Sequence, residues 1–323
     1  MKILIELPSW LGDTLMTTPA IDNIIKHYHH VEITLLGPVI SIEALKNHPN
    51  VVKTHQIDKK IINLYKTLNN LKEFDAFISF RSSLRSKFIK FCISSKNKFQ
   101  FDKKKYNTNH QVEKYNNFIN ESLKINSIAG KLKLEADNKK ANGKNKLLGI
   151  NPGASYGSAK RWYPKEFAKV ASELSNQYDI VIFGGYEEVD IANDIEKYLI
   201  EDGVNNYKNL VAKTTITDLI NQISKLDLFI TADSGPMHIA SAFQVPTVAI
   251  FGPTRVHETA QWMNKNSIVV KKNLACQPCM RRSCPLKHHN CMKLIDTSDV
   301  LSAAQELIKS KNPGRLSGKL YAQ

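Results

Sequence analysis

Much of what this 323-residue sequence lacks narrows its class. No run of about 18 uninterrupted apolar residues occurs, so no stretch reads as a membrane-spanning helix. The opening stretch, MKILIELPSWLGD, has one lysine and a short apolar segment that Glu6 and Pro8 interrupt. That break comes too early for the core of an export signal, so the stretch reads as a buried first strand and the expected location is the cytosol. The glycine fingerprint GxGxxG is missing, which disfavours a dinucleotide site, and no glycine loop ends in the Gly-Lys-Ser/Thr of a Walker motif. Five cysteines, an odd number, argue against a disulfide scaffold in a chain with no export signal.

Acid is also scarce. The chain has 45 Lys and Arg against 30 Asp and Glu, a formal charge of +15. The excess is uneven, +11 over residues 1–145 and +4 over residues 146–323. Such a surface attracts polyanions, whether nucleic acid, an anionic membrane or a phosphorylated substrate, and it equally serves solubility. Residues 81–105 concentrate it: Arg81, Arg85, Lys87, Lys90, Lys96, Lys98 and Lys103 to Lys105 stand against Asp102 alone, interleaved with Phe88, Phe91, Phe99 and Phe101. This reads as a basic, aromatic surface.

Hydrophobic residues make up 42% of the chain, enough for a large core, and the length suits two domains. In the first half, strand candidates at 2–7, 31–37, 51–57 and 75–80 alternate with helical segments, one running to about Tyr28 and another between 57 and 75. The polar run 137–146 reads as a linker. The pattern then restarts, with strands at 147–153, 179–185, 226–235 and 245–254 and helices from Pro164, from Glu187, over 236–243 and over 297–310. Two such halves predict two Rossmann-like α/β domains with parallel sheets facing a central cleft, where ligands bind at the carboxyl ends of strands. The expected boundaries are 1–140, 141–296, and a terminal segment 297–323.

Five features at strand ends and in the tail carry candidate chemistry. In PSWLGDTLMTTPA (8–20), Gly12 permits a tight turn and Asp13 opens a helix, as a first-turn acid or as a catalytic carboxylate. In NPGASYGSAKRWYP (151–164), small residues would let backbone N–H groups approach a phosphate, and Lys160 would add a point charge. In FGGYEEVD (183–190), Glu187 or Glu188 either holds ribose hydroxyls or acidifies a first turn. In TADSGPMHIASAFQVPTVAIFGPT (231–254), Asp233, Ser234 and Gly235 open a helix whose amide groups suit an anion, with His238 one turn further in. Cys276, Cys279, Cys284 and Cys291, with gaps of two, four and six residues, are either free thiols in a folded loop or zinc ligands of irregular spacing.

Taken in this order, the motifs resemble the ADP-heptose:lipopolysaccharide heptosyltransferases of glycosyltransferase family nine. The likeness is strongest at LPSWLGDTLMTTPAI, NPGASYGSAKRWYP and TADSGPMHIASAFQVPTVAIFGPT. CQPCMRRSCPLKHHNCM is similar to the tail of the heptosyltransferase II branch, while residues 81–140 match no motif. The resemblance implies a GT-B fold, with an N-terminal domain for a lipid-linked acceptor, a C-terminal domain for ADP-heptose, and a last helix packing back toward the first domain. It implies an inverting enzyme in which Asp13 is the general base, since one-step displacement needs one base on the acceptor side. Lys160, Ser155 and the amides near Ser234 and Gly235 would stabilise the departing ADP with help from His238, and Asp233 and Glu187 would hold hydroxyls. No cofactor or bound metal is implied, and no Asp-x-Asp pair lies in a loop. The implied partners are ADP-heptose and a phosphorylated lipid A-core acceptor, met peripherally at the cytoplasmic face of the inner membrane, and not nucleic acid. Competing readings are heptosyltransferase I or III with another acceptor, a GT-B nucleotide-sugar epimerase, and a nucleic-acid-binding protein.

Overall fold

The computed structural model describes residues 1–57, 68, 70–106, 110–137, 145–310 and 319–321, the last three by backbone alone. The chain divides into two compact units, Met1–Glu135 and Ala136–Gln323. Most of the run read as a linker, and almost all of the helix expected between 57 and 75, lie outside the described residues.

The first unit contains β1 (Lys2–Glu6), α1 (Leu11–Met16), α2 (Thr18–Tyr28), β2 (Glu32–Gly37), α3 (Val39–Leu45), β3 (Val51–Gln56), β4 (Phe74–Ser79), α4 (Leu84–Cys92), β5 (Ser95–Gln100) and α5 (Gln111–Leu123). Its five strands are parallel in the order β3-β2-β1-β4-β5. Central strands are buried on both faces, as near-continuous apolar runs such as ILI in β1 require. The edge strands β3 and β5 are polar and partly exposed, and Lys53, Lys96 and Lys98 on them discourage pairing with another chain. The single helix expected through Tyr28 is two helices. Pro19, in the first turn of α2, has no amide hydrogen to continue the α1 ladder, so the chain re-starts at Thr17. Leu4, Leu36, Phe74, Phe77, Ile89 and Ile93 form a core between sheet and α4.

The second unit contains β6 (Lys146–Asn151), α6 (Pro164–Leu174), β7 (Tyr178–Ile182), α7 (Val189–Glu201), β8 (Tyr207–Asn209), α8 (Ile216–Ile223), β9 (Leu228–Ala232), α9 (Gly235–Ala242), β10 (Thr247–Ile250), α10 (Val256–Thr259), β11 (Ser267–Val270), α11 (Asn290–Lys293), α12 (Thr297–Lys309) and β12 (Lys319–Tyr321). Seven parallel strands run in the order β12-β11-β10-β9-β6-β7-β8. α6 begins on Pro164 and buries Phe167, Ala168, Val170, Ala171 and Leu174, a stripe at helical spacing. α12, which the resemblance sends toward the first domain, buries Val300, Ala303, Ala304 and Leu307 in the second core, against α6, β10 and β11. Val300 and Leu307, removed from water, contribute about 1.5–3 kcal/mol each, and the two alanines less.

In both sheets the first strand in sequence lies inside, and the chain winds first to one side of it and then to the other. The order therefore reverses between β1 and β4 in the first unit and between β6 and β9 in the second. Beyond the carboxyl ends of two such strands the connecting chains part and leave a crevice, which is where ligands settle in this class of sheet.

Candidate functional site

Each unit carries a cluster of polar side chains at its own reversal point. In the first, β1 and β4 are in register, with Glu6 opposite Ser79. Glu6 is completely buried at the end of β1, and its carboxylate accepts from Ser79 Oγ at 2.6 Å and from Ser86 Oγ at 2.8 Å. Arg81 Nε lies 3.8 Å from Glu6 Oε1. Burial pushes the Glu6 carboxyl above its ordinary value, and the two serine hydroxyls and the guanidinium groups of Arg81 and Arg85 pull against that shift. Arg81 is thus a half-buried member of a polar cluster and not part of a uniform basic surface.

Asp13 follows β1 by one short connection. Trp10 is extended, with φ −103° and ψ 141°, and the chain turns into α1 there, so Asp13 sits in the first helical turn, half-buried. Gly12 lies inside that turn in the helix; the change of direction belongs to Pro8–Trp10 and not to Gly12. The connection is fixed from below. Thr14 Oγ1 donates to Ser41 Oγ at 2.9 Å, and Ser41 Oγ donates to the Pro8 carbonyl at 2.6 Å. The hydroxyl of Tyr115, on α5, bonds the Asp13 carboxylate. Tyr115 is 3% exposed and its ring meets Phe80 and Phe101 at centroid distances of 5.3 and 5.0 Å. Burial, reinforced by the Asp13 charge, raises the Tyr115 hydroxyl well above its usual range, so it keeps its proton and donates. The result is a carboxylate with a fixed donor behind it and a partly open face, suited to accept a proton.

In the second unit, β6 and β9 place Asn151 opposite Thr231. Asn151 Nδ2 lies 3.0 Å from Ser234 Oγ, 3.3 Å from Thr231 Oγ1 and 3.3 Å from the Gly153 carbonyl, which ties the loop after β6 to the one after β9. Lys160 and Asp233 meet there. Lys160 Nζ lies 2.6 Å from Asp233 Oδ2 and 3.2 Å from its carbonyl, with Nζ 4.8 Å above the Tyr156 ring. Thr254, in the loop after β10, donates to the same Asp233 oxygen at 2.6 Å. Ser234 immediately precedes α9 without a side-chain capping bond, and His238 is buried one turn into the helix. Lys160, Asp233 and Ser234 are therefore brought together, while Ser155 and Glu187 stand exposed on the loops after β6 and β7. The neighbouring acid, Glu188, is buried, receives the Gly185 amide at 2.7 Å and lies 3.5 Å from Arg161. It also fills the space where a side chain at Gly153 would stand. Glu188 is committed to the loop, and Glu187 is the acid that faces solvent.

The cysteine-rich segment braces this loop. The Met280 carbonyl accepts from Tyr156 Oη at 2.6 Å, the Arg282 carbonyl accepts from the Ala159 amide at 3.0 Å, and His289 Nε2 is 3.0 Å from the Ala159 carbonyl. Gly157 has φ +150°, and a Cβ there would lie 2.3 Å from the Arg282 oxygen, so the position accepts only glycine. Burial, and then the nearby Cys279, Cys284 and Cys276, push the Cys291 thiol up to about 11. Among the described residues no three His, Cys, Asp or Glu side chains are placed to hold a metal ion. Glu6, Tyr115, Asn151 and Thr254 went unread in the sequence. Glu6 alone had a signal, an acid inside an apolar strand.

Residues 61–290 match Glycosyltransferase family 9 (heptosyltransferase). The chain is 43% identical over 97% of its length, and 100% of the relative's, to lipooligosaccharide heptosyltransferase 2 of Campylobacter jejuni serotype O:2. It is 26% identical to lipooligosaccharide heptosyltransferase 2 of Haemophilus influenzae, over 83% of this chain and 88% of that one. Among solved structures it resembles the ADP-heptose heptosyltransferase II of E. coli, with a TM-score of 0.81 at 20% identity over 95% of this chain and 98% of that one. That likeness shows the fold, two parallel-sheet α/β domains of the GT-B kind. The family match and the near full-length identity place this chain in glycosyltransferase family 9, the heptosyltransferases.

Proposed function

We propose that this chain moves heptose from ADP-L-glycero-D-manno-heptose onto the first heptose of the lipopolysaccharide inner core, with inversion at the anomeric carbon. The observation that carries this reading is the 43% identity, spanning the whole of a relative named lipooligosaccharide heptosyltransferase 2.

The chemistry follows from the two clusters. An acceptor hydroxyl becomes an effective nucleophile as its proton leaves, and Asp13 is the carboxylate at the reversal point of the first sheet that can take it. The oxygen then attacks the anomeric carbon as the bond to ADP breaks, in a single displacement. Negative charge grows on the leaving pyrophosphate. An ammonium has three donors, and Lys160 directs two of them at Asp233, leaving one for a phosphate oxygen. The Ser155 hydroxyl and the amides at Ser234 and Gly235 complete the anion site, with His238 beneath them. Glu187 suits ribose hydroxyls. Asp233 acts chiefly by orienting Lys160, and any sugar hydroxyl it receives shares it with Thr254. The acceptor is lipid-anchored, so the enzyme works peripherally on the cytoplasmic face of the inner membrane.

The test is transfer from ADP-heptose to defined core acceptors carrying no heptose or one heptose, read by mass spectrometry. A gain of one heptose only on the acceptor that already carries one supports the reading. Extension of the heptose-free acceptor instead makes the chain a first-heptose enzyme, and no transfer to either refutes the substrate.

A further inference from the structure

α4 is apolar on two sides. Ile89, with Ile93 just beyond the helix end, enters the core of the first unit. On the other side stand Leu84, Phe88 and Phe91, spaced four and three residues apart on one helical stripe. Leu84 is 83% exposed, Phe91 84% and Phe88 39%. Exposed single leucines are common, but an aligned leucine and two phenylalanines left in water form a patch that asks for a partner.

The charges around the patch select the partner. α4 has no acid and carries Lys87, exposed, and Lys90. Lys98, on β5, reaches to 3.4 Å from the Phe91 carbonyl at the helix's C-terminal end. A second copy of the chain would bring this cationic patch against itself, because a two-fold interface pairs each surface with its own image. Nucleic acid would satisfy the lysines but offers nothing to an aliphatic leucine. An anionic bilayer satisfies both, with headgroup phosphates for the ammonium groups and acyl chains for the stripe.

We infer that α4 is the membrane-docking element, lying in the plane of an anionic bilayer with Leu84, Phe88 and Phe91 inserted below the headgroups. This assigns side chains to the membrane contact proposed above and rests on that reading for its biological setting. The geometry itself is independent of the substrate. Leu84 and Phe91 lie outside both polar clusters, so their replacement leaves transfer to a water-soluble, deacylated acceptor intact.

The experiment compares the full chain with Leu84→Ser/Phe91→Ser by co-sedimentation with phosphatidylcholine vesicles, with and without phosphatidylglycerol. Wild type is expected to partition onto the phosphatidylglycerol vesicles alone, and the double variant to bind at least about tenfold less while melting at the same temperature. Phe91→Trp gives a direct readout, because brominated acyl chains should quench the added fluorescence. Equal binding by wild type and the double variant, or no quenching of the introduced indole, overturns the inference. A concentration-dependent dimer of wild type that the double variant abolishes also overturns it, in favour of a second copy. Transfer to the soluble acceptor, run in parallel, separates the two readings: activity without vesicle binding sinks the docking element, and vesicle binding without activity sinks the enzymatic assignment.

Discussion

The two units share a winding pattern and put it to different uses. At the reversal point of the first sheet the polar groups are acids held by hydroxyls and a guanidinium: buried Glu6 by Ser79, Ser86 and Arg81, and half-buried Asp13 by Tyr115. At the reversal point of the second sheet the groups are loop residues tied across strands: Asn151 to Ser234, and Lys160 and Thr254 to Asp233. One arrangement holds a carboxylate in place, and the other gathers loop residues around one ammonium. Topology decides where a ligand can sit, and the residues at the strand ends decide what it can be.

The contrast can be broken from either side. Replacing Asp13 with Asn should lower the turnover number roughly a hundred- to ten-thousandfold, the range for removing a general base, with the fold and melting temperature unchanged. Tyr115→Phe removes the donor behind that carboxylate and should cost about ten- to a hundredfold in turnover. A carboxylate that loses a donor is more basic, so the acid limb of the pH–rate profile should move to higher pH, a change that loss of packing alone would not produce. On the second unit, Gly157→Ala forces a methyl against the Arg282 carbonyl. It should destabilise the loop by about 1–3 kcal/mol and appear as a raised KM for the donor with a smaller change in turnover.

The smallest effect is expected at Glu6. Its folded pKa lies above the ordinary 4.5, so the folded state binds this proton more tightly than the unfolded chain does. The resulting stabilisation is complete below that ordinary value and is lost as pH rises through the folded one. Glu6→Gln has no such proton. Denaturation curves across the acid to neutral range should therefore show wild type losing ground to the variant as pH rises. A constant difference would mean that burial does not govern this carboxyl.

Much of the frame was legible before the structure. Apolar runs ending in glycine, proline or aspartate marked β1, β2, β6, β7, β9 and β10, because a parallel sheet covered on both faces needs such runs and its ligand loops begin where they stop, whereas the internal strand β11, a four-residue run ending in lysines, went unread. The same rule set Asp13, Lys160, Asp233 and Ser234 on the loops and first helical turns that follow β1, β6 and β9, which is where they lie. The stretch 81–105 was read as one basic surface, whereas Arg81 turns inward to Glu6 and the exposed stripe belongs to α4. Composition counts charges without saying which way a side chain points. Tyr115 was out of reach because its partner, Asp13, lies about a hundred residues away, and only the packing of α5 beside α1 joins them. The Glu187 and Glu188 pair shows the same limit. Adjacent acids look alike in sequence, yet one is buried against Gly153 and the other is exposed.

The most direct test of the division between the two clusters is the affinity of Asp13→Asn and Lys160→Ala for ADP-heptose, titrated calorimetrically beside wild type. The account predicts that Asp13→Asn binds donor as wild type does although it transfers poorly. Lys160→Ala should bind roughly ten- to a hundredfold more weakly, for want of a charged hydrogen bond to the pyrophosphate. Donor affinity lost in Asp13→Asn and kept in Lys160→Ala would contradict it.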